Sequence, residues 1–111
     1  MAKGARYKVF WTKEASLDLE EIINFIFEDS PKNAGKIFKE IQSQCAKLTK
    51  LPERSRVVPE LKDIGILDYR ELIVSKYRIF YKIAGERVYI FAVMDGRRDL
   101  EAFLFGRLIR S

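Results

Sequence analysis

The chain has 111 residues, 48% of them hydrophobic, which is the length and composition of one domain, 1–111, and excludes disorder as its native state. Its 21 basic and 16 acidic residues leave a net charge of +5, which suits an anionic partner, nucleic acid or an acidic protein segment, without requiring one. With no histidine and a single cysteine, Cys45, it lacks the groups for Ser–His or Cys–His catalysis, for an internal disulfide and for imidazole-based metal sites, so no metal or cofactor is expected. No apolar run approaches the roughly 20 residues of a membrane span. The opening Met-Ala-Lys-Gly-Ala-Arg is too short and polar for a signal peptide, so a soluble cytoplasmic protein is expected.

Residues 1–6 read as a loose tail. Tyr7–Thr12 is rich in aromatic and β-branched residues and predicts a first strand. Thr12 is placed to cap a helix, with Glu14 in its first turn. Ala15, Leu19, Ile22, Ile23 and Ile26 recur at helical spacing, while Asp18, Glu20, Glu21 and Asn24 fill the other side. Phe25 and Phe27 fall off that stripe. Ser30-Pro31 starts a second helix, since serine caps and proline at the first position loses no hydrogen bond. Its apolar stripe is Ala34, Ile37, Phe38, Ile41, Cys45 and Leu48, and it ends near Lys50, ahead of Pro52. Cys45 on that stripe predicts a buried thiol and not a nucleophile. Lys32, Lys36, Lys39, Lys47 and Lys50 form a solvated face. Two helices joined so closely make an antiparallel hairpin.

Leu51–Leu67, with Pro52, Pro59, Gly65 and mixed charge, reads as an extended loop carrying Arg54 and Arg56. Three strands follow, Tyr69–Val74, Tyr77–Ile83 and Arg87–Met94, with Gly85 in the second break. In the second strand Tyr77, Ile79, Tyr81 and Ile83 share one face. Arg78, Phe80 and Lys82 share the other, which predicts a half-buried strand with cations on its second face. Val88–Val93 is apolar throughout and belongs inside the sheet. Asp99 is placed to cap a short helix bearing Leu100, Phe103, Leu104 and Leu108. The fold class is α+β, a helical hairpin packed on a small antiparallel sheet in the order β-α-α-β-β-β, with a terminal helix.

Several residues in this order are familiar. Trp11-Thr12 opens onto Ala15 and Asp18-Leu19-Glu20-Glu21-Ile22. Leu51-Pro52 precedes an arginine-bearing loop, and Tyr69-Arg70-Glu71-Leu72 is followed by Tyr77-Arg78-Ile79-Phe80-Tyr81. Val93-Met94-Asp95-Gly96-Arg97-Arg98-Asp99-Leu100 closes the set. The chain resembles, over about residues 7–108, the RelE/ParE superfamily of bacterial toxin–antitoxin toxins. The resemblance implies a cognate antitoxin that wraps a segment over the toxin. It also implies one of two targets, ribosome-bound messenger RNA for RelE-like members or DNA gyrase for ParE-like members.

RNA cleavage through a 2′-hydroxyl needs a base, a charge-stabilising cluster and an acid. By resemblance Arg70, Arg78 and Arg98 match basic positions of RelE-like enzymes and would grip the phosphate in bidentate fashion, with Glu71 the remaining candidate base. Phe103 and Leu104 stand where such enzymes carry a tyrosine, and neither moves a proton. Gly96 followed by Arg97-Arg98-Asp99 and a Leu-rich helix resembles ParE-like and plasmid-stabilisation sequences. The reading is therefore a ParE-like toxin that poisons gyrase through Arg97, Arg98, Phe103, Leu104 and Arg107. The endoribonuclease is the alternative. A purely structural use of these residues also fits: Asp99 as a cap, Arg97 and Arg98 in ion pairs, Arg70 paired with Glu71 or Asp68. Tyr77 and Tyr81 read as core aromatics with hydrated hydroxyls. Phe25, Phe27, Phe103 and Phe105 are apolar surface in excess of what the sheet can cover, a candidate antitoxin site.

Overall fold

The computed structural model describes residues 6–110, with side chains of the last helix described as far as Arg107. The expected loose tail therefore lies, apart from Arg6, outside the described residues, as does the side chain of Leu108.

Strand β1 (Lys8–Trp11) leads into helix α1 (Lys13–Asp29), which begins where the Thr12 hydroxyl accepts from the Ala15 amide at 3.1 Å. Helix α2 (Pro31–Ala46) begins at Ser30, whose hydroxyl accepts from the Asn33 amide at 3.1 Å, with Pro31 in the first turn. Ser30 also closes α1, so one residue serves both helix ends and the hairpin has no loop to spare. One 3₁₀ turn, Lys47–Thr49, continues α2 to the expected end near Lys50.

The expected loop 51–67 is instead folded. It contains a 3₁₀ turn (Pro52–Arg54), strand β2 (Arg56–Val57) and helix α3 (Pro59–Lys62). Elements of two to four residues are too short to leave a periodic pattern, and β2 exists only because β3 is there to pair with it. Leu51 takes a left-handed conformation, φ 51°, which turns the chain sharply into Pro52.

Strands β3 (Tyr69–Val74), β4 (Tyr77–Ala84) and β5 (Arg87–Asp95) form a meander as expected, and α4 (Leu100–Arg110) follows. Gly85 sits at φ 62° in the β4–β5 turn, where glycine alone pays no steric cost. The sheet order is β1-β5-β4-β3-β2. The sheet is not antiparallel throughout: β1 runs parallel to β5, in register from Lys8↔Arg87 to Trp11↔Ile90. The intervening chain supplies the long crossover that parallel pairing needs.

Two cores flank the sheet. On one face the helical hairpin buries Ala15, Leu19, Ile41, Cys45 and Leu48 against Ile79, Tyr81, Val88, Ile90 and Val93. Burial pushes the Cys45 thiol up to about 12, which keeps it protonated and unreactive at neutral pH. The Tyr81 hydroxyl is not hydrated; it donates to the Pro52 carbonyl at 2.6 Å. The other face was expected to carry cations into solvent. It is covered: Val58, Phe80, Ala92, Met94 and Leu100 form a second core, with Phe91, Phe103 and Leu104 packed at its edge. Arg78 is therefore 8% exposed. The cover comes from residues 58–61 and from α4, neither of which strand periodicity within β4 could reveal.

The register between β4 and β5 slips at one point, with Phe80↔Ala92 followed by Tyr81↔Ile90. Phe91 is thus an extra residue in β5, a bulge that lets Ile90 face the hairpin while Ala92 faces the second core. No helix among the described residues is long and apolar enough to cross a membrane.

Candidate functional site

The basic residues singled out from the sequence do not converge. Residues of a strand alternate faces. Arg70 pairs in register with Tyr81, on the hairpin side, whereas Arg78 shares the opposite face with Phe80. Arg70 donates through Nη1 to the carbonyls of Glu53 and Ser55 and so staples the Pro52–Ser55 segment to the sheet. It pairs with neither Glu71 nor Asp68.

Arg78 is the centre of a four-membered network. Its Nε donates to Glu71 Oε1 at 2.7 Å, and its two terminal nitrogens donate to the two carboxylate oxygens of Glu60, each at 2.8 Å. Glu71, whose side chain is wholly buried, accepts from Arg56 Nε at 2.6 Å through its other oxygen. The guanidinium also lies 5.2 Å from the Phe80 ring. The fork that would hold a phosphate thus holds Glu60, and the carboxylate that would serve as a base is held between two cations.

Glu60 is pulled down to about 2, mainly by its hydrogen bonds from Arg78, and Asp95 to about 2, mainly by its hydrogen bonds from Arg97. A depressed carboxylate contributes stability above its unfolded value and loses it as pH falls toward its folded one. Burial pushes Asp18 the other way, so its ionisation opposes that trend. Stability measured by urea midpoint should hold from pH 7 to about 5 and fall between about 5 and 2. Glu60→Gln should make that fall shallower. An unchanged slope would place the acid-labile groups elsewhere.

Arg97, Arg98 and the helix aromatics come closer to a site. Asp95 ends β5 and accepts from the Arg97 backbone at 2.9 Å and from its guanidinium at 2.7 Å, a local pair in water. Gly96 allows the strand end to press on the β3–β4 turn: its amide donates to Lys76 O at 2.7 Å, and a Cβ there would stand 3.0 Å from that oxygen. Asp99 caps α4 through the Glu101 amide, as expected. The Arg98 guanidinium, exposed, lies 5.1 Å from the Phe103 ring. Beside this turn lies a groove of about 720 Å³ between the hairpin and the sheet end, with Ile22, Phe25 and Ile37 on one wall and Lys76, Tyr77, Arg97 and Arg98 on the other. A second concavity, about 480 Å³, continues from Arg98 along Phe103, Gly106 and Arg107.

Of the aromatics assigned to a partner, Phe25 is 74% exposed, Phe105 65% and Phe27 56%. Phe27 does not line the groove; two residues along a helix is about 200° of rotation away from Phe25. Phe103 and Leu104 are partly buried against the second core. Arg107 is not free to meet a target as the chain stands. Its Nη2 donates to both oxygens of Asp18, at 2.8 and 2.7 Å, and its Nη1 donates to Phe91 O at 2.7 Å. Asp18, placed from the sequence on the polar side of α1, faces inward. It lies three residues after Ala15 and four before Ile22, on the apolar stripe itself, and a carboxylate there was the available signal.

The matches to other proteins fit this arrangement. The model of the family described as ParE toxin of type II toxin–antitoxin system, parDE, matches residues 9–100. Comparison with curated proteins gives no match. Among solved structures, a chromosomal ParDE toxin–antitoxin system from Pseudomonas aeruginosa superposes with a TM-score of 0.68 at 18% identity, over 83% of this chain and 98% of that one. The toxin–antitoxin complex RelBE2 from Mycobacterium tuberculosis does so with a TM-score of 0.57 at 20% identity, over 84% and 94%. At such identities the superpositions speak for the fold, while the family match runs from β1 to the start of α4. The chain belongs to the ParE toxin family, as a toxin of a type II toxin–antitoxin system.

Proposed function

We propose that this domain, residues 1–111, arrests growth by binding and poisoning DNA gyrase in the cytoplasm, and that a cognate antitoxin neutralises it. The observation that carries the choice of target over RNA cleavage is the Arg78 network. Arg78 is committed to Glu60 and Glu71, and Arg70 lies on the opposite face of the sheet, so the two arginines cannot grip one phosphate together. What remains exposed is suited to a protein surface: Arg97 and Arg98 at the β5 turn, Phe25 on α1 and Phe105 on α4, and two concavities that share Arg98, the larger lined by Phe25.

The antitoxin is proposed to lie in the groove, over Phe25, and to reach α4 at Phe105. The parallel is with the ParDE system and the RelBE2 complex, which are toxin–antitoxin assemblies. The chain's +5 charge favours an acidic antitoxin segment by speeding encounter.

The test is supercoiling of relaxed plasmid by gyrase with purified toxin titrated in. Inhibition or trapped cleaved DNA, reversed by antitoxin, is the expected result, and a chain ending at Asp99 should lose it. No effect at large excess, together with cleavage of ribosome-bound messenger RNA, would overturn the gyrase reading.

A further inference from the structure

Strand β1 covers β5 only as far as Ile90, whose carbonyl accepts from the Thr12 amide at 3.0 Å. There the chain turns away into α1, yet β5 runs on to Asp95. Among the groups on its open edge that need partners are the Phe91 carbonyl and the Val93 amide. Both are satisfied by one ion pair. Arg107 donates to Phe91 O at 2.7 Å, Val93 donates to Asp18 Oδ2 at 3.0 Å, and the two side chains bind each other. The pair stands in for the missing length of β1.

The two residues are 89 positions apart and each side chain is 13% exposed. The near end of α4 is seated independently, by the Asp99 cap and by buried Leu100. Along the helix Phe103 and Leu104 pack at the edge of the second core, while Glu101, Ala102, Phe105 and Gly106 are exposed. Beyond Leu104, among the described residues, Arg107 carries the side-chain hydrogen bonds to the body, and its guanidinium also lies 5.0 Å from the Phe103 ring. The fit is not saturated: Arg107 Nε is buried without a hydrogen bond, with Glu14 Oε1 3.8 Å away. A buried pair of this kind adds little net stability to a fold, because desolvation offsets much of its attraction.

We infer that Asp18 is a positioning residue for α4, holding the terminal helix in one docked place through Arg107. This rests on the reading of α4 as part of the target-binding surface. When Asp18 is neutralised, Arg107 leaves with the helix and regains water, as does the Phe91 carbonyl, so the loss falls on α4 and the β5 edge beside it and spares β4. Asp18→Asn keeps an acceptor for the Val93 amide.

The experiment is amide hydrogen exchange of Asp18→Asn, Arg107→Gln and the double variant, with gyrase inhibition measured on the same preparations. Asp18→Asn is expected to speed exchange in α4 about tenfold or more while leaving β4 amides unchanged. It should raise the toxin concentration for half-inhibition by a similar factor. The double variant should be no worse than either single one, since Asp18 acts through Arg107. Unchanged exchange in α4, equal acceleration in β4 and α4, or additive effects would each overturn the inference. If the unaltered toxin fails to inhibit gyrase, the functional reading falls, and the α4 exchange rates still decide whether Asp18 positions the helix.

Discussion

Arg78→Ala should cost about 3–5 kcal/mol of folding free energy, the loss expected when one partner of a buried ionic network is removed. The reason is Glu71, whose side chain has no exposure and would be left with Arg56 alone. A loss of that size is a large share of the roughly 5–15 kcal/mol that holds a domain folded, so the variant should show a clear drop in urea midpoint and reduced yield. Glu60→Ala should cost much less, because that carboxylate is half exposed and its pair is screened by water. The informative partner is the double variant Glu71→Met with Arg78→Leu, which removes both charges and fills the space. It should recover most of the stability, since apolar replacements of buried pairs are often neutral or better. A toxin so altered that still arrests growth would show that the network is structural. Loss of toxicity with full stability would return Arg78 to the list of functional residues.

Phe25→Ala should weaken antitoxin binding by about 30-fold or more, a loss of about 2 kcal/mol typical of a central aromatic anchor. Its effect on stability should stay within about 0.5 kcal/mol, because the ring is already in water. Titration calorimetry against the antitoxin, beside a thermal melt, separates the two quantities. Phe27→Ala is the control on the same helix, with a similar ring that does not line the groove. Weakening at Phe27 with none at Phe25 would move the antitoxin to the other flank of α1. Equal weakening at both would mean that the segment wraps the helix.

Much of the framework is written locally. Thr12, Ser30-Pro31 and Asp99 mark helix starts because a cap is a contact between residues two or three apart. The β3, β4 and β5 strands are legible because their side chains alternate or run apolar over six or more residues, and Gly85 because a tight turn demands its conformation. Cys45 is legible as a buried thiol because it falls on a helical stripe. The resemblance of motifs in order carries the family for the same reason, since it is a property of the chain read end to end.

The candidate site is less legible, and particular residues show why. The charges of Arg70, Arg78, Glu71 and Glu60 are visible in the sequence, but their pairing is not. Strand parity puts Arg70 and Arg78 on opposite faces, and a four-residue helix, too short for any periodic signal, delivers Glu60 to Arg78. Phe91 reads as one apolar residue among six; that it is a bulge follows only from its pairing with β4. Asp18 and Arg107 meet across 89 positions because β1 ends before β5 does.

By itself, then, the sequence determined the longer helices and strands and the absence of imidazole and disulfide chemistry, which depend on composition or on neighbours within one helical turn or strand, and, through motifs in order along the chain, the family. The tertiary structure alone decided which charges are spent on holding the fold and which stay at the surface. A buried charge must find an opposite partner wherever the packing brings one, and that choice is made between segments far apart in the chain.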